Sequence, residues 1–231
     1  MTLRVGVHGA TGRMGQRVVE IVGDAPDLTL AWACGRDLPD SLDADVIVDF
    51  STPEGLARLL AAAPCPVVSG TTGAVTLPDA PRVALLHAAN FSLGVAVLAR
   101  LAREAARMLP GWDTEIVEIH HTAKRDAPSG RALRLADAVD AGRGAAGVSA
   151  GPRRSGRDGA HVAGEIGLHA VRGGDVIGEH TVYLFGPSER VVLGHVASDR
   201  GLFAAGAVRS ARWLAGRGPG RYTLEDVLGG A

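Results

Sequence analysis

The first 93 residues alternate short apolar runs with helix-like segments, and this order restricts the fold more than any other feature of the chain. Runs of strand length span 3–8, 28–34, 46–50, 66–69 and 83–87. Helical spacing appears at 13–22 and again at 53–63, where Pro53 occupies the first turn. Because strands that alternate with helices pair in parallel, this region predicts a doubly wound α/β sheet.

The pattern changes from about residue 113 to longer strands joined by short connections. A strand at 115–121 and a helix at 129–141 precede strands at 162–171, 176–185 and 190–197, with a glycine-rich loop expected over 142–160. This α+β order predicts a second domain, 94–199, built on a mainly antiparallel sheet. Helices at 202–214 and 224–228 are expected to return to the first domain, which then comprises 1–93 and 200–231.

Charge and hydropathy exclude several classes of partner. The 24 basic and 25 acidic side chains give a formal net charge of −1, which removes the electrostatic motive for binding nucleic acid or an anionic membrane. The N-terminus shows no secretory signal, and the most apolar helical stretch, 95–109, carries charges that exclude a membrane span. Cys34 and Cys65 lack CxxC spacing and are expected to be reduced thiols. We therefore expect a cytoplasmic protein whose partner is a small molecule.

A glycine-rich turn joins the first strand to the first helix. It reads Gly9-Ala10-Thr11-Gly12-Arg13-Met14-Gly15, a GxxGxxG spacing. Glycines there permit a sharp bend and allow a pyrophosphate to reach the amides of the helix N-terminus. The turn therefore predicts a dinucleotide-binding domain of the Rossmann type, with an ordinary tight turn in a glycine-rich chain as the alternative.

Small and polar residues follow several other strands of the predicted sheet. Because the carboxyl ends of parallel strands face one crevice, these residues are candidates for cofactor binding, with ordinary turns and caps as the alternative for each. The candidates after the fourth and fifth strands are Gly70, Thr71, Thr72, Ala88, Ala89, Asn90 and Phe91. Arg36, after the second strand, suits the 2′-phosphate of NADPH, although Asp37 can still reach a ribose. The sequence thus predicts that NADPH is preferred and NADH is also used.

The segment 120–131 contains the densest group of chemically active side chains. The imidazoles of His120 and His121 end a predicted strand, and the ammonium of Lys124 follows them. Histidine is suited to donate a proton near neutral pH. No metal site is predicted, because adjacent strand residues face opposite ways and no further ligand pattern completes a set. An exposed basic loop between a strand and a helix is the structural alternative.

Ser129, Gly130 and Arg131 begin the helix that follows this segment. Ser129 is predicted as the N-cap, which leaves the amides of Gly130 and Arg131 free to bind a carboxylate. These three residues are therefore candidates for substrate binding.

The composition singles out two of the candidates. Lys124 is the only lysine among 24 basic side chains, and Asn90 is the only asparagine. A lysine ammonium is a compact charge that can give up its proton, whereas arginine stays protonated and favours planar partners. The retention of lysine at this position predicts a chemical need for an ammonium.

Taken together, these motifs resemble the dihydrodipicolinate reductase family over the length of the chain. The matching segments are 9–15, 70–73, 89–92, 118–121 with Lys124, 126–130, 178–181 and 206–210. The resemblance implies a cytoplasmic homotetramer of lysine and diaminopimelate biosynthesis, with a cofactor domain and a second domain for substrate and subunit contacts. It implies hydride transfer from NAD(P)H to the cyclic imine dicarboxylate 4-hydroxy-tetrahydrodipicolinate, which yields tetrahydrodipicolinate.

The resemblance also implies a role for each residue of the segment. His120 is the expected general acid, Lys124 a proton donor or charge stabiliser, and His121 with Gly130 and its neighbour a carboxylate site. The family commonly has threonine where this chain has Arg131, whose guanidinium can also pair with a carboxylate.

Three other functions compete with this interpretation. An aspartate-semialdehyde dehydrogenase needs a nucleophilic cysteine, and neither Cys34 nor Cys65 has an activating neighbour in sequence. A homoserine dehydrogenase does not predict the cluster of two histidines and a lysine. A nucleotide-sensing regulator keeps the glycine turn but has no use for His120 and Lys124.

Overall fold

The computed structural model describes residues 2–156 and 159–229, which divide into two compact units. The first unit runs to Leu93 and resumes at Arg200, and the second is Gly94–Asp199. In these described ranges no helix has the length and apolar character needed to span a membrane.

Six parallel strands form the sheet of the first unit. In chain order they are β1 (Leu3–His8), β2 (Leu28–Cys34), β3 (Val46–Asp49), β4 (Val67–Ser69), β5 (Ala84–His87) and β11 (Gly220–Tyr222). They lie in the order β11-β5-β4-β3-β1-β2, and every neighbouring pair is parallel. The chain therefore winds in opposite directions on the two sides of β1, which confirms the doubly wound class. The three-residue β11 was not predicted, because it is too short to show a period.

Four helices accompany this sheet. They are α1 (Arg13–Asp24), α2 (Pro53–Ala62), α5 (Gly201–Leu214) and α6 (Leu224–Val227). Pro53 lies in the first turn of α2 as predicted, and the hydroxyl of Thr52 caps this helix by accepting from Gly55 N at 3.1 Å. In α5 a Cβ at Gly206 would lie 1.9 Å from the Phe91 carbonyl oxygen, so only glycine permits this helix to pack so closely.

The second unit contains a five-stranded sheet and two long helices. Its elements are α3 (Leu93–Met108), β6 (Asp113–His120), α4 (Gly130–Ala145), β7 (Arg153–Ser155), β8 (Ile166–Arg172), β9 (Glu179–Gly186) and β10 (Glu189–Val196). Apolar residues of α3 and α4, among them Leu98, Ala102, Leu135 and Val139, are buried in a core with Ile116 of the sheet.

The pairing of these strands differs in part from the prediction. The order is β10-β9-β6-β8-β7, in which β6 pairs antiparallel with β9 but parallel with β8, and β7 is parallel to β8. The two pairs that include β9 are antiparallel, as expected, the two that include β8 are parallel, and β6 separates β8 from β9. The reason is that β6 has apolar residues on both faces, Ile116 on one and Val117 and Ile119 on the other, which suits a central strand.

The expected loop at 142–160 is partly regular structure. Helix α4 continues to Ala145, and β7 adds a strand to the sheet, while 157–158 lie outside the described residues. A Cβ at Gly142 would lie 2.1 Å from the Arg103 carbonyl oxygen, so this glycine permits α4 to contact α3. Arg143, buried in the last turn, donates to Trp112 O at 2.8 Å and to Thr114 Oγ1 at 3.0 Å. Tertiary contacts thus override the low helix propensity of glycine.

Candidate active site

The glycine turn of the first unit is fixed by backbone contacts with the strands beside it. Ala10 N donates to Cys34 O at 2.8 Å, and Gly9 N donates to Gly35 O at 3.3 Å. Gly9 has a φ of 80°, and a Cβ there would lie 2.4 Å from Phe50 O. Glycine is therefore required at this position for backbone conformation and for space.

The start of α1 fits an anionic ligand. Its N-cap is Gly12, which offers no side-chain cap, and the first turn of the helix has no acidic residue. A Cβ at Gly15 would lie 2.2 Å from Gly9 O, which keeps the turn close against the helix. Because uncapped amides carry the positive end of the helix dipole, this end of α1 suits the pyrophosphate of a dinucleotide. Thr11 and Arg13 are exposed and Met14 is half-buried at the same place.

A buried carboxylate connects three turns at the carboxyl edge of the sheet. Asp49 accepts from Ser51 Oγ at 2.5 Å, from Ser69 Oγ at 2.7 Å and from Thr71 Oγ1 at 2.8 Å. His8 Nδ1 lies 2.9 Å from Asp49 Oδ1, the oxygen that Ser51 also contacts, and both side chains are fully buried. Burial raises the pKa of Asp49, but the contacts with His8 and the three hydroxyls outweigh it and hold the pKa below its ordinary value.

Packing accounts for part of the predicted cofactor set. A Cβ at Gly70 would lie 2.1 Å from the Phe50 ring, and the Thr71 hydroxyl is used by the Asp49 network. Phe91 is buried, with its ring centroid 5.9 Å from that of Phe50, and Ala88 is buried as well. These residues therefore have packing roles in the first unit, and their contacts with a cofactor stay a prediction.

The other candidates after β4 and β5 remain accessible. Thr72 and Ala89 are exposed, and Asn90 is half-buried. The side-chain oxygen of Asn90 accepts from Ser92 N at 3.1 Å, and this hydrogen bond fixes the local turn before α3.

Two arginines lie together past the end of β2. Arg36 is exposed, and the guanidinium of Arg58 on α2 donates to its carbonyl oxygen at 3.1 Å. Arg58 was missed in the sequence, because nothing local relates a residue on α2 to the end of β2.

In the second unit, Glu118 connects four segments of the chain. Its fully buried carboxylate contacts His120 Nδ1 through Oε2. Its Oε1 accepts from Ser129 N at 3.0 Å and from Arg172 Nη2 at 2.7 Å. Arg172 also donates to Asp126 O at 2.6 Å. The buried charge of Glu118 thereby holds together four segments: the end of β6, the loop after it, the start of α4 and the end of β8.

His120 is held at both ring nitrogens. Nδ1 faces Glu118, and Arg131 Nη1 lies 3.3 Å from Nε2. The His180 ring packs edge-on against it, with 5.1 Å between centroids. Burial lowers the pKa of His120, Glu118 opposes this effect, and the charges of Lys124 and Arg131 add to it, so the pKa lies below its ordinary value.

The remaining predicted residues lie near this cluster in the chain. Lys124 Nζ binds Asp126 at 2.6 and 2.8 Å, and Lys124 N donates to the carbonyl oxygen of the half-buried His121 at 3.1 Å. Ser129 is the predicted N-cap and accepts from Ala132 N at 3.2 Å. Gly130 is exposed, and a Cβ there would meet no heavy atom of the described residues within 4 Å. Packing therefore leaves space on the Cβ side of Gly130, and its amide interacts with the Asp126 carboxylate.

Three residues of the cluster had no assigned role in the sequence prediction. Glu118 lies two residues before His120, so strand alternation places both on one face, and this signal was available. His180 is opposite Glu118 on β9, and Arg172 is opposite His120 on β8, which only strand pairing reveals.

Glu118, His120 and His180 each place a potential metal ligand within 4.8 Å of the others, which the sequence did not predict. Both Glu118 oxygens are already engaged by donors, and the guanidinium groups of Arg131 and Arg172 supply positive charge at the same place. The donor set therefore favours proton transfer over cation binding.

Comparison with known proteins agrees with the two-part architecture. Family models described as dihydrodipicolinate reductase, N-terminus, and dihydrodipicolinate reductase, C-terminus, match residues 3–91 and 94–228. The chain is 41% identical to 4-hydroxy-tetrahydrodipicolinate reductase of Parvibaculum lavamentivorans, with 98% of each chain covered. It is 40% identical to the enzyme of the same name from Ruegeria pomeroyi, with 96% and 97% covered.

A solved structure gives the same fold. Dipicolinate-bound dihydrodipicolinate reductase from Paenisporosarcina sp. TG-14 aligns with a TM-score of 0.74 at 24% identity, over 96% of this chain and 98% of that one. Because family models match almost the whole chain and relatives share about 40% of its residues, the protein belongs to the dihydrodipicolinate reductase family.

Proposed function

We propose that this protein reduces 4-hydroxy-tetrahydrodipicolinate, through its dehydrated form dihydrodipicolinate, to tetrahydrodipicolinate with NADPH or NADH, so that the 4-hydroxyl leaves as water and the ring gains a hydride and a proton, as a step of lysine and diaminopimelate biosynthesis. One observation carries the proposal: a histidine that is 1% exposed, His120, is engaged at both ring nitrogens in a cluster that includes the start of α4. A proton donor of adjustable pKa next to carboxylate-binding amides is what reduction of a cyclic imine dicarboxylate requires.

Each residue of the cluster then has a role. When bound, a reduced nicotinamide would supply the hydride, and His120 would deliver the proton that completes the reduction. Lys124, whose side chain is 19% exposed, stabilises negative charge on the substrate or assists proton transfer. The amides of Gly130 and Arg131, with His121 and the Ser129 cap, hold a substrate carboxylate.

The first unit is proposed to bind the cofactor, and the second the substrate. The uncapped amides at the start of α1 receive the pyrophosphate, and the residues after β4 and β5 receive the nicotinamide half. NADPH is preferred because Arg36, with Arg58 beside it, places positive charge where a 2′-phosphate is recognised in this fold.

A coupled assay tests the proposed function. The purified chain is supplied with NADPH and with the condensation product of pyruvate and aspartate semialdehyde, and cofactor oxidation is followed. We expect turnover that depends on both substrates and a higher kcat/KM with NADPH than with NADH. Tight NADPH binding without turnover would instead favour the nucleotide-sensing regulator.

The second unit is also proposed to assemble the protein as a homotetramer. Strand alternation puts Val171, Phe185, Val192 and Val196 on the sheet face opposite α3 and α4, where 38% to 65% of each residue is exposed. An apolar sheet face of this kind is typical of a subunit contact. Sedimentation equilibrium is expected to give four times the chain mass, and a monomer at assay concentration would contradict this assignment.

The cytoplasm is the proposed location. Cys34 and Cys65 are unpaired, and burial raises the pKa of the Cys65 thiol to about 11. Two protonated thiols in a biosynthetic enzyme fit a reducing compartment.

A further inference from the structure

Arg131 and Glu118 act on His120 from opposite sides. A guanidinium has only N–H donors, so the 3.3 Å contact with Arg131 Nη1 requires His120 Nε2 to be an acceptor. The carboxylate of Glu118 likewise requires a proton on Nδ1. In this arrangement His120 is a neutral imidazole with its proton on the nitrogen that faces away from Arg131.

A neutral imidazole of this tautomer cannot serve as the acid at Nε2. A proton from solvent has to bind Nε2, and the donated hydrogen bond from Arg131 has to be released first. Arg131 also lies in the first turn of α4 next to Gly130, where the proposed function places a substrate carboxylate. The same guanidinium therefore has two competing acceptors, the neutral Nε2 and a carboxylate, and the charged acceptor forms the stronger hydrogen bond.

We propose that Arg131 holds His120 neutral in the free enzyme and moves to the substrate carboxylate on binding, so that substrate binding itself charges the general acid. The proposal rests on the proposed function and adds a coupling between carboxylate recognition and acid activation. The protons balance: the 4-hydroxyl of the substrate leaves as water, His120 takes one proton from solvent on binding, and it passes one proton to the dehydrated ring as the hydride is transferred. Arg131 is thus both a substrate contact and a positioning residue for His120.

The charged and titratable groups around His120 come from every element packed against it. They are Glu118 of β6, Lys124 with Asp126 in the loop after β6, Arg131 of α4, Arg172 of β8 through Glu118, and His180 of β9 with His195 beyond it. Burial, followed by repulsion from His120 in its protonated form and from Arg131, lowers the pKa of His180 to about 3, so this neighbour stays neutral at working pH. Arg131 is the member of this group that also lies in the first turn of α4, at the proposed carboxylate site.

Two pH profiles separate the free and bound enzyme. The pH dependence of kcat/KM reports the free enzyme, and that of kcat reports the complex. For the wild type we expect both parameters to fall as the pH rises, and kcat/KM to fall at a lower pH than kcat. In Arg131→Gln the fall of kcat/KM should move to higher pH, so that the two profiles approach each other. The same variant should bind dipicolinate about tenfold more weakly or worse.

Matched variants and a direct measurement complete the experiment. Arg134→Gln removes an exposed guanidinium from the same helix and is expected to change neither pH profile. Arg131→Lys keeps the positive charge, so its kcat/KM should still fall at the low pH seen for the wild type. Titration of the His120 ring by NMR, assigned with His120→Gln, gives the free-enzyme result without turnover. An unchanged His120 titration in a folded Arg131→Gln protein overturns the coupling, whereas absence of wild-type turnover overturns the proposed function instead.

Discussion

Each unit of the protein buries a carboxylate beside a histidine, and the two pairs have different surroundings. Asp49 and His8 are both fully buried, and the other partners of Asp49 are the neutral hydroxyls of Ser51, Ser69 and Thr71. Glu118 and His120 are also buried, but their partners include the guanidinium groups of Arg172 and Arg131.

The difference shows how surroundings set the role of the same chemical pair. The hydroxyl donors are neutral and stabilise the charged carboxylate of Asp49. The Asp49 pair therefore fixes three turns at the carboxyl edge of the first sheet. Arg131 donates to the lone pair of His120 Nε2 and its charge lowers the pKa of that ring, so the Glu118 pair suits proton transfer. Substitutions in the Glu118 pair should therefore change mainly catalysis, and substitutions in the Asp49 pair mainly stability.

Replacing the two histidines should separate chemistry from stability. We expect His120→Gln to lower kcat by about a thousandfold, because a positioned acid contributes on that scale. NADPH affinity should be retained. The matched change His8→Gln is expected to lower Tm without altering the pH dependence of kcat. Steady-state kinetics and thermal melts measure both, and equal kinetic losses in the two variants would contradict the distinction.

Removing the buried charge in the first unit should cost mainly stability. Asp49→Asn leaves donors without a charged acceptor and is expected to reduce the free energy of unfolding by about 3 kcal/mol. Since the folded-state pKa of Asp49 is lowered, its stabilising contribution is present above the unfolded pKa of about 3.9 and is lost as the pH falls through the folded value. Urea unfolding from pH 7 into the acid range measures both effects, and a wild-type-like acid transition in the variant would count against this role.

Replacement of Lys124, the only lysine of the chain, tests whether the proposed substrate site needs an ammonium group. Lys124→Arg keeps the charge but changes its shape and acidity, and we expect kcat to fall by about a hundredfold with NADPH binding intact. Arg125→Lys, an exposed neighbour in the same loop, is the control and should retain activity. Near-normal turnover of Lys124→Arg would make the retention of a single lysine a coincidence of composition.

The smallest expected effect concerns cofactor choice in the first unit. Arg36→Ala should lower kcat/KM for NADPH by about tenfold, which corresponds to one charge-assisted hydrogen bond, and leave the value for NADH near that of the wild type. Arg58→Ala is expected to act in the same direction more weakly, since Arg58 contacts the Arg36 carbonyl oxygen. Equal losses with both cofactors would show that Arg36 supports the fold rather than recognising a 2′-phosphate.

The sequence predicted local structure well and long-range pairing poorly. The strand at 3–8, the helix with Pro53 in its first turn and the Ser129 cap depend on residues close together in the chain, and all are confirmed. The prediction of a loop over the whole of 142–160 was wrong in part, since α4 continues to Ala145 and β7 follows. Gly142 contacts α3, and Arg143 donates to carbonyl groups far away in the sequence.

What the sequence by itself determined is the family, the doubly wound sheet and the segment that contains His120, Lys124 and Ser129. These follow from apolar periods, glycine spacing and short motifs, all of which are local properties of the chain. Only the tertiary structure decided that Glu118 is the centre of that segment, with His180 opposite it on β9 and Arg172 opposite His120 on β8. The physical reason is that strand register brings together side chains more than 50 residues apart, and a buried charge selects its partners by proximity and not by position in the chain.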